Sequence, residues 1–456
     1  MAVNAGARLD RLPISSFHRR IMWLIGAGMF FDGFGLYLGG IVVGATVKSG
    51  FSTLAQNGYF FSVTFVGMML GSFVTGFLGD RFGRRFTYQS NLAIFGFASI
   101  AAAFVPSMLV LILIQSVIGF GLGAENVVGY STLTEFVPPL SRGKWLGFMT
   151  VFVVTGLPIA ALLGTIIVPR LGWRAMFVLG GLGALVVWYL RKKLPESPRW
   201  LESVGRGEEA DSLLRAIENE VSLRHSPLPA PQVSNLVKHS RDLSSLASPE
   251  IFPRMILGSV SLIVINSLLY GFVTWLPTFF VQQGLSIARS FTYSLVMAFG
   301  APIGSAIGAF TADSWGRRPT IVGASLLTIL IGSFYPFITR PGVLMVVGFS
   351  LIVPIYVLVA LLFAIYIPEL FPTEVRLRAA GICNTFGRGA IIFMPFVVVR
   401  LFQSHGVGGV LVFMIALLIV QIGVVLALGV EPKKRRLEEI ESDAGVSPLP
   451  AEVRNP

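Results

Sequence analysis

Charge is scarce in this sequence. Only 13% of its 456 residues are Asp, Glu, Lys or Arg, against 54% hydrophobic ones, where a water-soluble domain carries about 25% charge. Residues 257–280 and 348–367 contain no charged side chain at all, which points to lipid rather than to a soluble core. Cysteine is nearly absent. Cys383 stands alone, which excludes a disulfide framework and a cysteine zinc site. The four histidines, His18, His225, His239 and His405, fall in tails, loops or helix ends without ligand spacing, so neither a metal nor a cofactor is expected. There is no P-loop, no G-x-S-x-G and no cysteine–histidine spacing, so an enzyme or an ATP-driven machine lacks its parts. No N-x-Ser/Thr sequon occurs, which favours a bacterial inner membrane over a glycosylating compartment.

Apolar runs are what the chain has in quantity. Between Ile21 and Val430 lie roughly a dozen segments of the ~20 residues that cross a bilayer. The first follows Arg19 and Arg20 as a signal peptide would. It lacks a small-residue cleavage site and contains Asp32, so it reads as a retained helix. About 28 of the 35 Lys and Arg fall in the termini and alternate loops of one side, while Lys48, Arg170, Arg174, Arg289, Arg340 and Arg400 lie opposite. This bias puts both termini in the cytoplasm. The net charge of +12 therefore reports topology, and no nucleic-acid partner is expected.

The expectation is an all-α membrane protein with twelve transmembrane helices. Residues 1–194 form a first six-helix bundle and 251–432 a second. Residues 195–250 form a charged cytoplasmic loop, and 433–456 a cytoplasmic tail. Within the loop, Leu213, Leu214, Ile217 and Val221 share one face of an amphipathic helix too short and charged to span.

Landmarks repeat at an interval of about 234 residues. Gly76–Arg85 reads GFLGDRFGRR, and its Asp80 returns as Asp313 in DSWGRR. Glu135 and Arg142 return as Glu369 and Arg376, and Glu196 returns as Glu431. Two parallel repeats place a site near the bilayer midplane between them. The repeated charges, Asp80, Arg84, Arg85, Glu135, Arg142, Glu196, Asp313, Arg317, Arg318, Glu369, Arg376 and Glu431, sit at helix ends. They read as a cytoplasmic gate whose pairs form with partial water access, away from substrate.

Ionisable groups deep in lipid are functional hypotheses by default. Asp32 in the first helix and Glu125 in the fourth are candidates for carrying a proton. Arg388 is read as the only base within a span and the candidate for a substrate carboxylate, since its fork matches one bidentately. A structural pair with Asp32 or Glu125 is the alternative. Asn384 lies one turn before Arg388 on the same face. Asn266, the repeat equivalent of Asp32, shares a face with Tyr270, and Trp275 follows. Asn126, Tyr130, Phe34, Tyr37 and Tyr356 complete the candidate substrate site.

The landmarks resemble the major facilitator superfamily over nearly the whole chain. Within it, Pro195-Glu196-Ser197-Pro198-Arg199-Trp200 and the paired glutamates and arginines resemble the sugar-porter and metabolite:proton-symporter branch. Phe31-Asp32-Gly33-Phe34 is similar to bacterial niacin and aromatic-acid symporters. The family's arginine tied to proton coupling is replaced by Gln115, so the resemblance implies a proton route through other residues. It implies proton-coupled import of a small organic anion, an aromatic monocarboxylate such as nicotinate or a benzoate, by alternating access. Sugar or polyol symport and efflux of organic cations stand as alternatives, and a non-transporting receptor as a third. A monomer surrounded by lipid is expected.

Overall fold

The computed structural model describes residues 3–224, 227–231, 246–273, 293, 296–297, 299–338, 340–373 and 375–431. These form helices and short connections. In lipid the backbone has no water to bond, so an apolar run must satisfy its own N–H and C=O groups as a helix. The first six long helices are α2 (Ser16–Lys48), α3 (Leu54–Phe82), α4 (Arg84–Ala103), α5 (Met108–Phe136), α6 (Arg142–Leu171) and α7 (Arg174–Leu190), preceded by short α1 (Ala5–Asp10). Two short helices follow, α8 (Pro198–Ser203) and the expected amphipathic α9 (Gly207–Ser222), which buries Leu214, Ile217 and Val221. The second set comprises α10 (Ile251–Gly271), α11 (Gly300–Ser314), α12 (Arg317–Phe334), α13 (Pro341–Val359) and α14 (Arg376–Leu428). Helix α13 continues through a π-helical stretch, Ala360–Tyr366. Helix α14 contains two spans joined across Gly406, whose φ of 63° breaks the ladder.

Local chemistry sets the ends. Thr53 and Gln56 form a reciprocal capping box at the start of α3. Ser107 accepts the Val110 N–H to cap α5, and Pro138-Pro139 follows its last turn. The two D-x-x-G-R-R junctions share one turn: Gly83 has φ 98° and Gly316 φ 104°. A side chain there would strike the Glu196 and Glu431 carboxylates respectively, so glycine is needed twice over.

Helix pairs pack where glycine removes the side chain. Gly67, Gly71, Gly119 and Gly123 bring α3 and α5 into backbone contact. The two sets meet along α3 with α14 and along α6 with α11. There Gly76 faces Leu377 and Gly381, and Gly147 faces Ala309. Large apolar side chains such as Phe73, Leu109, Leu162, Leu182, Leu327 and Phe393 point outward, as lipid-facing positions require.

The N-terminal residues dock against the linker helices. Glu202 accepts the N–H groups of Val3, Asn4 and Ala5 at 2.8, 2.8 and 2.7 Å, capping α1. Arg8 pairs with Asp211 and Glu218, and Arg11 with Glu218, each at 2.6 Å. Burial pushes the Glu218 carboxyl up, but hydrogen bonds from Arg8 and Arg11 outweigh it and hold it below its ordinary value. A depressed acid contributes docking strength above the ordinary carboxylate range and loses it as pH falls through its own value. Protection of the amides of residues 3–11, expressed relative to the intrinsic exchange rate at each pH, should therefore be high near neutrality and fall below about pH 4. Equal protection at both pH values would show that the ion pairs do not hold the segment.

Candidate functional site

Seven of the expected residues converge from five helices at the interface of the two sets. Asp32 of α2 accepts a hydrogen bond from Asn126 Nδ2 of α5 at 3.3 Å, and its other carboxylate oxygen has no partner among the described residues. Arg388 of α14 hydrogen-bonds with the Tyr270 hydroxyl of α10 and feels the charge of Asp32. Its guanidinium carbon lies 5.8 Å from the centre of the Phe363 ring. Arg388 is only 4% exposed, yet no carboxylate among the described residues lies within ion-pair distance of it. The hydroxyls of Tyr37 (α2) and Tyr356 (α13) bond to each other. Tyr130 meets Thr150 Oγ1 at 3.3 Å and lies within electrostatic reach of both Asp32 and Arg388. Phe65, which the sequence did not single out, packs on Tyr270 with ring centres 5.1 Å apart.

Other candidates fall differently. Asn266 and Asn384 donate to carbonyls of their own helices, Leu262 O at 2.7 Å and Ala380 O at 2.9 Å, leaving a buried amide oxygen each without a partner among the described residues. Phe34 turns away: it packs against Phe30 and Phe31 and covers Gly180 of α7. Trp275 lies outside the described residues.

Glu125 does not meet Arg388. Its Oε1 lies 2.6 Å from Arg191 Nη1. Arg191 opens the short turn after α7, and its side chain is fully buried. Arg388 is thus not the only base buried among the spanning helices. Sequence reasoning missed Arg191 because it opens a run with Lys192 and Lys193 and looks like one more basic helix end.

The repeated charges form a second cluster at the face that carries α1 and the linker helices. Arg84 Nη2 lies 2.7 Å from Glu135 Oε1, and its Nη1 lies 3.1 Å from Asp80. The same Glu135 oxygen takes Arg376 Nη1 at 3.0 Å from the other set. Asp80 crosses over too, accepting the Arg378 N–H at 3.0 Å and its Nε at 3.1 Å. Symmetrically, Arg317 pairs with Glu369 at 2.9 Å and with Asp313 at 3.1 Å. Asp313 accepts the Gly143 and Lys144 N–H groups at 3.1 and 2.7 Å, at the first turn of α6. Glu196 caps α4 through Arg84 N and Arg85 N, and Glu431 caps α12 through Arg317 N and Arg318 N. The exposed Arg85 and the half-buried Arg318 each donate to a backbone carbonyl, Lys192 O and Leu426 O, both at 2.9 Å.

Two expectations change here. Helix-end positions suggest pairs with partial water access, but Arg84, Glu135, Arg317, Glu369 and Arg376 are at most 1% exposed. Among the described residues the two copies also differ: Arg376 reaches Glu135, and its counterpart Arg142 meets Asp10 of α1 at 3.5 Å, which Arg199 holds at 2.6 Å.

Residues 38–444 match the family model for sugar (and other) transporters. The chain belongs to this family, within the major facilitator superfamily. It is a multi-pass membrane transporter of twelve helices in two parallel six-helix repeats. It is 37% identical over 446 residues to the inner membrane metabolite transport protein YdjE of Escherichia coli K12, covering 95% of this chain and 98% of that one. It is 30% identical over 443 residues to the niacin transporter NiaP of Acinetobacter baylyi, covering 95% and 99%. Among solved structures, the proton:xylose symporter XylE of E. coli bound to 6-bromo-6-deoxy-D-glucose superposes with a TM-score of 0.77. That match covers 94% of this chain and 99% of the other at 18% identity, and it speaks for the fold.

Proposed function

We propose that the protein imports a small aromatic monocarboxylate together with a proton across the bacterial inner membrane, with both termini in the cytoplasm. One observation carries this reading. Arg388 is buried beside Tyr270 and Phe363, with the Tyr37–Tyr356 pair next to Tyr270, and no carboxylate among the described residues lies within ion-pair distance of it. A buried cation without a fixed counter-ion calls for an anion, and the aromatic walls suit a flat ring. The niacin transporter among its relatives supports the same substrate class. Asp32 carries the proton: its free oxygen and its proximity to Arg388 let a bound proton and a bound carboxylate neutralise the cavity together. The neutral, loaded cavity then lets the two bundles rock about the site, and the closed charge cluster at the cytoplasmic face has to part for release.

A thermal-shift screen of the purified protein against nicotinate, benzoate, xylose and a quaternary amine tests the substrate class. Stabilisation by nicotinate or benzoate is expected; stabilisation by xylose alone overturns it. In proteoliposomes Asp32→Asn should abolish accumulation driven by a pH gradient while exchange of labelled for unlabelled substrate continues. Accumulation at the wild-type level in this variant would remove Asp32 from coupling.

A further inference from the structure

The Glu125–Arg191 pair has no part in the transport scheme above, yet it is an ion pair buried inside the helix bundle, where a charge is costly. Its construction is elaborate. Arg191 folds inward while Lys192 and Lys193 remain exposed beside it. Its Nε donates to Leu24 O at 2.8 Å and its Nη2 to Ile25 O at 2.7 Å, both carbonyls of α2. Its Nη1 pairs with Glu125 at 2.6 Å, and its guanidinium stacks 4.6 Å from the Tyr88 ring centre of α4. The room comes from Gly28, where any side-chain carbon would overlap the guanidinium. Gly28 is one turn before Asp32 on α2, and Glu125 immediately precedes Asn126, which holds Asp32. One arginine thus ties α2, α5 and α4 together at Gly28, one helical turn before Asp32.

We infer that Arg191 is a positioning residue that decides which of two neighbouring carboxylates exchanges the proton. This rests on the coupling role given to Asp32. Asp32 and Glu125 sense each other's charge. Around Asp32 stand Asn126 and Tyr130 of α5, Tyr37 of its own helix, Tyr270 of α10 and Arg388 of α14. Around Glu125 stand Arg191, Tyr88 and Asp32, while α6 presents Phe152 and Val153 to α2. Arg191 is the dedicated cation of Glu125 and holds it as a fixed anion. Arg388 is then left to the substrate, and Asp32 is left as the group that titrates. Without Arg191, Glu125 would keep a proton of its own.

Infrared difference titration of the full chain in lipid reads this directly, because protonated carboxyls absorb apart from carboxylates. In the wild type, one protonated-carboxyl band should vanish with Asp32→Asn and survive in Glu125→Gln. Arg191→Gln should add a second band, and the double variant Arg191→Gln with Glu125→Gln should lose it again. The double variant replaces a buried charge pair by neutral groups of similar shape, so it folds where the single variant is weakened. Arg191→Lys, which keeps the charge, should show the wild-type bands. The pH profile of uptake should shift in Arg191→Gln and return in the double variant. A folded Arg191→Gln with one band and an unmoved profile would overturn the assignment, as would a wild-type band that follows Glu125. Nicotinate stabilisation is scored separately. Its absence with the band pattern intact rejects the substrate reading and leaves the assignment of Arg191 standing.

Discussion

Arg388→Gln should weaken binding of nicotinate or benzoate by about 30-fold or more. Truncating one partner of a buried, hydrogen-bonded charge pair costs about 2–5 kcal/mol, and each ~1.4 kcal/mol is tenfold in affinity. Arg388→Lys should fall between this variant and the wild type. Lysine keeps the charge but loses the planar fork that meets both carboxylate oxygens. The unloaded protein should tolerate either change. Arg388 has no ion pair with a carboxylate among the described residues, so no orphaned acid is left behind. Isothermal titration of the purified variants checks this, with circular dichroism confirming the fold. Wild-type affinity in Arg388→Gln would place the substrate carboxylate elsewhere.

The second large effect is expected at Glu135. Its single carboxylate neutralises Arg84 of its own bundle and Arg376 of the other, at 2.7 and 3.0 Å, with all three side chains at most 1% exposed. Removing one partner of such a pair costs about 3–5 kcal/mol because the remaining charges stay buried. Opening this face would hydrate both arginines and recover much of that cost, so Glu135→Gln should favour the inward-open state. A few kcal/mol is enough to shift a two-state equilibrium from a minor to a major population. The lone cysteine makes the measurement clean. In a Cys383→Ala background, Thr373→Cys lies at the crossing point, where the Thr373 carbonyl accepts Arg84 Nη2 at 3.0 Å. Its alkylation should be slow with Glu135 present and at least about tenfold faster in Glu135→Gln, since a ~1.4 kcal/mol shift already gives tenfold. Unchanged labelling would mean that the face is held shut by the glycine-lined helix contacts and not by charge.

The membrane class, the number of helices and the twofold repeat were legible in the sequence. Each depends on a local or periodic quantity: run length, charge spacing and a repeated D-x-x-G-R-R. The reason for its glycine is only half local: the junction takes a positive φ, but the Glu196 and Glu431 carboxylates that leave no room for a side chain are brought there by the fold. The candidate site was partly legible, because an acid or base inside an apolar run stands out by itself. Asp32, Glu125 and Arg388 stand out this way. What such reasoning misses is an ionisable residue at the edge of a run. Arg191 looks like a headgroup-facing neighbour of Lys192 and Lys193, and Asp10 like part of a free tail. Both are buried in ion pairs with residues distant in sequence.

Pairing was left to the tertiary structure. Composition says that Arg388 needs an anion, but not that Glu125 is already committed to Arg191. Repeat symmetry equates Arg142 with Arg376, but only three-dimensional packing sends one to Asp10 and the other across the interface to Glu135. The physical reason is the same throughout. Helix formation in lipid follows from the chain's own backbone and the bilayer thickness. The partner of a buried charge depends on which helices glycine allows to approach, and that is a property of the assembled bundle.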